Sequence, residues 1–408
     1  MFNQCCHFKA RSFTSVDLFC GAGGLTEGFR KVGFKTVFAA DFDEQAVQTF
    51  RYNHPDTVCL HRYVQSLSGK EILCASGLTP GSVDVLCGGP PCQGYSLAGL
   101  RIADDPKNRL FLEFVRLTLE LQPRIVLFEN VEGIKSMQKG SVVRAIIREF
   151  ERIGYCCEVR VLNAADYGVP QHRPRFILLA VPKGCNAISF PKATHGTLMQ
   201  QSQLKLFDET PLLHLTAWEA LSDLPVIGAG EGAEELVHSG EYHNSYQRER
   251  QGDRFPGLIF NHRAVNHCER VRVRYAQIPE GGDNRLLSDE LRTKKRNVWK
   301  LDRQKPSRTV TCNHRTDILH PILPRGTTVR EAARLQSFDD DYRFFGNLTR
   351  KAKWLTQDDQ VGNAVPPLLA RALAFHLKSV LEQEAVKIQS NLMQEADTVP
   401  MEEPIMGS

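Results

Sequence analysis

A cysteine that follows two prolines is the residue of this 408-residue chain best placed for covalent chemistry. Cys92 lies in Gly88-Gly89-Pro90-Pro91-Cys92-Gln93-Gly94-Tyr95-Ser96, directly after a predicted strand. The prolines fix the backbone before the thiol, and Gly94 frees it afterwards. Most cysteines behave as small core residues. A thiol on a loop at the end of a strand is instead placed like a nucleophile, whose reactive form is the thiolate.

A carboxylic acid follows a second apolar run. Glu129 ends the predicted strand Arg124–Glu129 and is followed by Asn130-Val131. Burying a carboxyl group at the end of a strand costs free energy, so such a group is expected to be paired or to have a chemical role. Desolvation should raise its pKa, which suits a proton donor. An acid at a helix N-terminus would give the same pattern, so the motif alone leaves both interpretations open.

Two arginines flank a proline in Gln171-His172-Arg173-Pro174-Arg175, before another predicted strand. Arginine offers a rigid fork of donors to a phosphate or a carbonyl oxygen. His172 is better interpreted as a packing or phosphate-contact residue than as a base.

A glycine-rich turn, Asp17-Leu18-Phe19-Cys20-Gly21-Ala22-Gly23-Gly24-Leu25, leaves a first strand and enters a helix. Glycine lets the backbone approach a ligand closely. Asp41 ends the next strand 20 positions after Gly21, where a carboxylate can accept hydrogen bonds from a ribose. The turn is not G-x-G-x-x-G, which weakens a nicotinamide or flavin interpretation. The helix N-terminus suits a pyrophosphate or a carboxylate, and tight strand–helix packing explains the glycines equally well.

The elements that must position these residues alternate in type over the first 190 positions. Strands alternating with helical patterns predict an α/β fold, a mostly parallel sheet with helices on both faces, which binds ligands at the carboxyl ends of its strands. Helical faces occur at 110–115 and 142–153. The predicted strands are Ser12–Phe19, Lys35–Asp41, Ser82–Cys87, Arg124–Glu129, Glu158–Leu162 and Arg175–Val181.

The alternation ends near residue 191, and a polar, turn-rich segment follows. We predict a helix over Thr328–Phe338 and a last helix that Pro366-Pro367 open and that runs to about Ala385. The predicted organisation is a first α/β part over 1–190, a smaller irregular domain over 191–319, a hinge and return to the first part over 320–386, and a disordered tail over 387–408.

The charge is uneven along a chain whose formal net charge is +4. Residues 242–320 hold 17 Lys/Arg and 9 Asp/Glu, which suits a polyanion, although a solvated basic face would look the same. The twelve cysteines include no C-x-x-C pair, so neither a zinc site nor a disulfide framework is indicated. Apolar runs are too short for a bilayer span, and the first residues lack a secretion pattern; we therefore expect a cytoplasmic protein.

Six blocks follow one another in a familiar order: Phe-x-Gly-x-Gly-Gly, Pro-Pro-Cys-Gln, Glu-Asn-Val, Gln-x-Arg-x-Arg, Arg-Glu-Ala-Ala-Arg-Leu-Gln-Ser-Phe and Gly-Asn-Ala-Val-Pro-Pro. In this order the chain resembles the DNA cytosine-5 methyltransferase family, most closely its bacterial members, over roughly residues 14–190 and 320–380. The resemblance implies a Rossmann-like methyltransferase fold. It also implies methyl transfer from S-adenosylmethionine to C5 of a cytosine flipped out of a specific duplex sequence.

The resemblance also implies roles for single residues. Cys92 matches the nucleophile that adds to cytosine C6, Glu129 the group at N3 and the exocyclic amine, and Arg175 the contact to O2, which Arg173 supports. The implied cofactor contacts are Phe19, Gly21, Gly23, Asp41, Phe42 (stacking beside the adenine), Leu110, Asn363 and Val365.

One block departs from the family. Tyr63-Val64 stands where an Asp that meets the adenine amine is usual. The adenine contact is therefore made differently, or Asp56 or Gln65 substitutes for the missing acid.

The implied partners are double-stranded DNA and S-adenosylmethionine. We expect no metal, no membrane and a monomer in the bacterial cytoplasm near the nucleoid. A cognate restriction endonuclease acting on the same site is a compatible partner. Three alternatives remain: methylation of cytosine in transfer RNA, a catalytically silent DNA-binding regulator, and a nucleotide-binding oxidoreductase. Gly94-Tyr95-Ser96 and the basic small domain favour DNA over RNA.

Overall fold

A seven-stranded sheet forms the centre of the fold. The computed structural model describes residues 12–91, 109–198, 211–238, 240–293, 295, 297–348 and 354–397. The strands of this sheet are β1 (Thr14–Leu18), β2 (Lys35–Asp41), β3 (Val58–His61), β4 (Val85–Gly88), β5 (Ile125–Val131), β6 (Tyr155–Asn163) and β7 (Pro174–Pro182).

The sheet is mostly parallel, as the alternating pattern predicts. The strand order is β3-β2-β1-β4-β5-β7-β6. Neighbouring strands from β3 to β5 pair in parallel, whereas β7 runs antiparallel to both β5 and β6. The carboxyl ends of β1, β2, β4 and β5 therefore meet at one edge, where such sheets bind their ligands.

Helices cover both faces of the sheet. The helices of the first part are α1 (Gly24–Val32), α2 (Glu44–Asn53), α3 (Gly69–Ser76), α4 (Arg109–Leu121) and α5 (Ser141–Arg152). Along β4, Val85 and Cys87 belong to one core cluster and Leu86 to another, because successive side chains point to opposite faces. The second cluster also holds apolar residues of α3, α4 and α5. The helices predicted at 110–115 and 142–153 therefore pack their apolar faces against the sheet.

Residues 191–319 contribute no described strand to the seven-stranded sheet. Their short strands form separate two-stranded pairs. These strands are β8 (His195–Gly196), β9 (Leu212–Leu213), β10 (Gly232–Val237), β11 (Leu258–Arg263), β12 (Trp299–Lys300) and β13 (Ile318–Leu319). The helices here are α6 (Ala217–Leu221), α7 (Ser245–Arg250), α8 (Glu269–Gln277) and α9 (His314–Asp317).

The chain then returns to the large sheet through α10 (Val329–Leu335), α11 (Gln357–Asn363) and α12 (Pro367–Asp397). Thr328 caps α10 and forms a capping box with Glu331, which explains why the predicted helix begins there. The last helix extends to Asp397 instead of ending near Ala385, so its final turns fall within the tail that composition predicts to be disordered. Residues 398–408 lie outside the described part of the chain.

No single helix of the described residues is long and apolar enough to cross a bilayer. The bent pair α11–α12 meets that test only by length and composition. Several apolar side chains of α12, including Leu369, Leu373 and Leu377, are buried in the same core cluster as α1.

Candidate active site

A cavity of about 350 Å³ opens at the carboxyl edge of the sheet. The loops after β1, β2, β4 and β5 form most of its wall, and α11 with the residues after it closes one side. It gathers eight of the residues that the sequence motifs single out. These are Phe19, Gly21, Asp41, Phe42, Glu129, Arg175, Asn363 and Val365.

Glu129 and Arg175 form a buried ion pair in the cavity wall. Arg175 Nε lies 2.9 Å from Glu129 Oε1, and both side chains are about nine-tenths buried. The pair forms because β5 and β7 are antiparallel neighbours, which places the end of one strand beside the start of the other. Burial raises the pKa of Glu129, and the charges of Arg175 and Arg173 only partly offset this. The carboxyl group is therefore suited to hold a proton for a ligand.

The Pro90-Pro91 loop passes directly beside this pair. A Cβ atom at Gly89 would lie 2.8 Å from Glu129 Oε2, so glycine is needed for the close approach. Asn130 donates from Nδ2 to the carbonyl oxygen of Pro90 over 2.9 Å and so fixes the loop. Pro91 lines the cavity. Cys92, the predicted nucleophile, is the next residue and lies outside the described residues.

The glycine turn after β1 forms the opposite wall. Phe19 and Gly21 both have positive φ, which brings the backbone of the turn towards the cavity. The amide of Gly21 donates to Asp41 Oδ2 over 2.8 Å, and the amide of Asp43 donates to Oδ1 over 2.9 Å. These bonds hold Asp41 at the exit of β2 with its carboxylate beside the turn. Burial raises the pKa of Asp41 to about 6, although the hydrogen bonds act against it.

Asn363 and Val365 reach the glycine turn from the other end of the sequence. A Cβ atom at Gly24 would come within 2.2 Å of the Val365 carbonyl oxygen, so the two segments are in direct contact. Arg173 holds the returning segment in place. Its buried guanidinium donates to the carbonyl oxygens of Gly362 and Ala364 over 2.6 and 3.0 Å.

Three predicted site residues do not line the cavity. Arg173 acts on the backbone behind it, as described above. Gly23 packs against His54 and Tyr342, because a Cβ there would lie 2.8 and 2.7 Å from their polar atoms. Leu110 is half-buried at the start of α4 and is not among the lining residues.

Sequence reasoning assigned no role to Asn130, Gly89 or Gln360. Asn130 stands inside the quoted Glu129-Asn130-Val131 block, but only the folded loop shows which carbonyl group it holds. Gln360 lines the cavity and accepts from Thr49 over 2.6 Å, which links α11 to α2. Within the described ranges, no group of three or more His, Cys, Asp or Glu side chains could hold a metal ion.

Asp17 lies under the glycine turn and makes stability depend on pH. It is fully buried; Thr26 donates to Oδ2 over 2.7 Å, and Oδ1 has no hydrogen-bond partner among the described residues. Burial raises its pKa from 3.8 to about 7, with the Thr26 bond acting against the rise. Since the folded state holds this proton more tightly, its stabilising effect is complete below about pH 4 and is lost as pH rises towards 7.

We expect Asp17→Asn to remove this dependence. The free energy of unfolding of the variant, relative to the natural chain, should rise by about 1–3 kcal/mol between pH 5 and pH 8. Urea unfolding at several pH values measures this difference. Asp56→Asn, at an exposed position, is the matched control and should run parallel to the natural chain. Parallel profiles for Asp17→Asn would show that Asp17 ionises without penalty.

Known proteins resemble this chain over most of its length. The family model of C-5 cytosine-specific DNA methylases matches residues 13–379. M.DdeI, a Type II methyltransferase of Desulfomicrobium norvegicum, is 35% identical over 396 residues, which are 92% of this chain and 91% of that protein. M1.HphI of Haemophilus parahaemolyticus is 36% identical over 369 residues, covering 89% and 86%.

Solved structures show the same architecture. A protein described as a DNA modification methyltransferase, encoded within a prophage of E. coli, matches with a TM-score of 0.71 at 28% identity. The match covers 91% of this chain and all of that one. The S. pombe Dnmt2 methyltransferase shares the fold, with a TM-score of 0.54 at 16% identity over 90% of this chain and 99% of that one. The chain therefore belongs to the C-5 cytosine-specific DNA methylase family, as its ordered motifs predict.

Proposed function

We propose that this chain transfers the methyl group of S-adenosylmethionine to C5 of a cytosine flipped out of a specific duplex DNA sequence, through a covalent bond between Cys92 and C6. The observation that carries the proposal is the buried Glu129–Arg175 pair in the same cavity as the glycine turn and Asp41. Pro91, to which Cys92 is joined by a peptide bond, lines that cavity between the two walls.

The residues present fit S-adenosylmethionine. The wall at the glycine turn offers a carboxylate at Asp41, an exposed ring at Phe42 and open backbone at Gly21, where an added Cβ would meet nothing within 4 Å. Asp41 would hold the ribose hydroxyl groups and Phe42 would stack beside the base. When bound, S-adenosylmethionine supplies an electrophilic methyl group on a sulfonium.

The chain's own residues would activate the cytosine. C5 of cytosine is a poor nucleophile, and addition of the Cys92 thiolate to C6 turns it into an enamine-like carbon. Negative charge then develops on the ring, where the Glu129 carboxyl group would donate a proton at N3 and Arg175 would donate to O2. After methylation at C5, water would take the C5 proton, and the C5–H electrons would form the C5–C6 double bond as the C6–S bond breaks. The sulfur would leave as the thiolate, and N3 would return its proton to Glu129.

The target base must leave the duplex, since its C5 and C6 atoms cannot be reached within the stack, at a cost of about a few kcal/mol. We propose that 191–319 is the target-recognition domain that offsets this cost. Much of its positive charge is neutralised internally, for example by Arg285 with Asp283 and Arg303 with Glu280. Exposed arginines such as Arg263 and Arg270, for which no ion pair with a described acid is found, are better candidates for phosphate contacts.

Two measurements test the proposal. Radiolabelled methyl transfer should be found on duplex DNA and not on transfer RNA; the reverse result would favour the RNA alternative. Duplex DNA containing 5-fluorocytosine should form a covalent adduct that survives denaturation, because fluorine cannot leave as a cation. Methylation of ordinary DNA without any adduct on the fluorinated DNA would contradict the Cys92–C6 bond.

A further inference from the structure

Two exposed aromatic rings stack at the rim of the cavity. The Phe42 and Tyr63 ring centroids lie 5.8 Å apart with an interplanar angle of 18°. Their side chains are 44% and 58% exposed, respectively, so both rings can be reached from solvent. Phe42 lines the cavity and Tyr63 does not, so Tyr63 covers the ring face of Phe42 that points away from it.

The backbone under both rings is fixed. Phe42 follows β2 and Tyr63 follows β3, two parallel neighbours that end at the same edge of the sheet. His61 Nε2 lies 2.9 Å from the Phe42 carbonyl oxygen. The Tyr63 carbonyl oxygen accepts from the Ser66 hydroxyl group over 2.7 Å and from the Ser66 amide over 2.9 Å. The stacked pair is thus held by its strands before any ligand arrives.

A base cannot enter between the rings. Two successive carbon–carbon contacts at about 3.5 Å would need about 7 Å between the ring planes, and the centroids are only 5.8 Å apart. A base must therefore stack on the cavity side of Phe42, with Tyr63 supporting the ring from behind. An offset stacked arrangement of this kind is favourable for aromatic rings.

The described cavity offers no spare carboxylate for the amine of a base. Its lining acids are Asp41, which accepts from two backbone amides, and Glu129, which pairs with Arg175. Asp56 precedes β3 and so lies at the opposite end of that strand from Tyr63. Gln65 is exposed in the turn after Tyr63 and does not line the cavity.

From this arrangement we infer that Tyr63 is a positioning residue for the nucleobase of the methyl donor, and that the base is held by stacking on the Phe42–Tyr63 pair rather than by a carboxylate at its amine. The inference rests on the proposed use of S-adenosylmethionine. It implies that the site distinguishes poorly between adenine and a base whose amine is replaced by a carbonyl group.

Calorimetric binding of S-adenosylhomocysteine and S-inosylhomocysteine tests the inference without catalysis. The natural chain should bind the two ligands with affinities within about threefold of each other.

Three variants of Tyr63 extend the test. Tyr63→Phe keeps the ring and should bind as the natural chain does. Tyr63→Leu should bind both ligands about five- to tenfold more weakly. Tyr63→Asp supplies a carboxylate acceptor and should prefer the adenosyl ligand by more than about tenfold, a selectivity that a merely structural role of Tyr63 would not change.

Val58→Ala, at the exposed start of the same strand, is the matched control and should bind normally. Unchanged binding by Tyr63→Leu, or a natural preference for the adenosyl ligand above about tenfold, overturns the inference. If Gln65→Ala bound the ligands more weakly while Tyr63→Leu bound them normally, the inference would also be overturned, and the contact to the base would be assigned to the Gln65 side-chain amide. Failure of the natural chain to bind either ligand instead overturns the proposed cofactor, and this inference with it.

Discussion

Replacement of Cys92 by serine is expected to lower methyl transfer to duplex DNA by at least about 10⁴-fold. A serine hydroxyl group is almost entirely protonated at neutral pH, so it cannot add to C6 as the thiolate does. The substitution leaves in place the hydrogen bond from Asn130 to the backbone carbonyl oxygen of Pro90, which holds the preceding loop. Affinity for S-adenosylhomocysteine and for DNA should therefore stay within about threefold of the natural values.

The measurement is single-turnover methyl transfer beside equilibrium binding of both ligands. Cys74→Ser is the matched control, because Cys74 is an exposed thiol on α3 and does not line the cavity. It should retain full activity and adduct formation. A Cys92→Ser variant that still methylated DNA at more than about one-hundredth of the natural rate would exclude Cys92 as the nucleophile.

Glu129→Gln is expected to lower the turnover number by about 10²- to 10³-fold. The amide can still hydrogen-bond to cytosine but cannot deliver a proton to N3. Because Gln has nearly the same shape, the loss should fall on kcat rather than on KM. Burial raises the pKa of Glu129, so the natural enzyme keeps the protonated carboxyl group to a higher pH than an exposed glutamate would. Its activity should fall as pH rises through that raised pKa, and the variant should lack this step.

Steady-state kinetics over pH 6 to 9 measures both effects. Glu132→Gln, an exposed acid three residues further along, is the control and should leave kcat unchanged. Thermal unfolding should confirm that Glu129→Gln is folded, because its amide can still accept from Arg175, the partner of Glu129 in the ion pair. An unchanged kcat would remove Glu129 from the chemistry and leave it as a partner for Arg175 alone.

Much of the sheet could be predicted from the sequence. The runs at β1, β2, β4, β5, β6 and β7 are apolar and bounded by turns, and each was expected within a few residues of its position. β3 was missed because Val58–His61 is only four residues long and ends in a polar side chain. The antiparallel direction of β7 could not be predicted either, since a strand reads the same in both directions.

The return segment shows a second limit. A helix over Thr328–Phe338 was predicted from its pattern, but the surroundings of its charged residues were not. Arg330 and Arg334 are fully buried. Arg334 pairs with Asp223 and Asp340 over 2.9 and 2.6 Å. A buried arginine needs acidic partners, and one of them here, Asp223, is distant in the sequence. The local pattern of apolar residues carries no information about such a partner.

Residues that line the cavity could be predicted where a motif fixes both residue type and strand end; their roles stay predictions. Glu129, Arg175, Asp41 and Asn363 meet in one cavity because each lies at or near the end of an element that reaches the same edge of the sheet. Arg173 was predicted to support the site, and it holds the carbonyl oxygens of Gly362 and Ala364. Gly23 was predicted to contact the cofactor, and in the structure it packs against His54 and Tyr342. The spacing of a motif cannot distinguish a residue that contacts a ligand from one that supports the backbone, since both roles can require the same residue at the same position.

The contact between Gly24 and the Val365 carbonyl has a consequence for synthesis on the ribosome. The segment on one side of this contact is translated some 340 codons before the segment on the other side. A nascent chain, or one released early by a nonsense codon before that point, lacks the side of the cavity that Gly362, Asn363 and Val365 line, however well its sheet has folded. The cavity can therefore be completed only in polypeptides in which residues 191–319 have already been made.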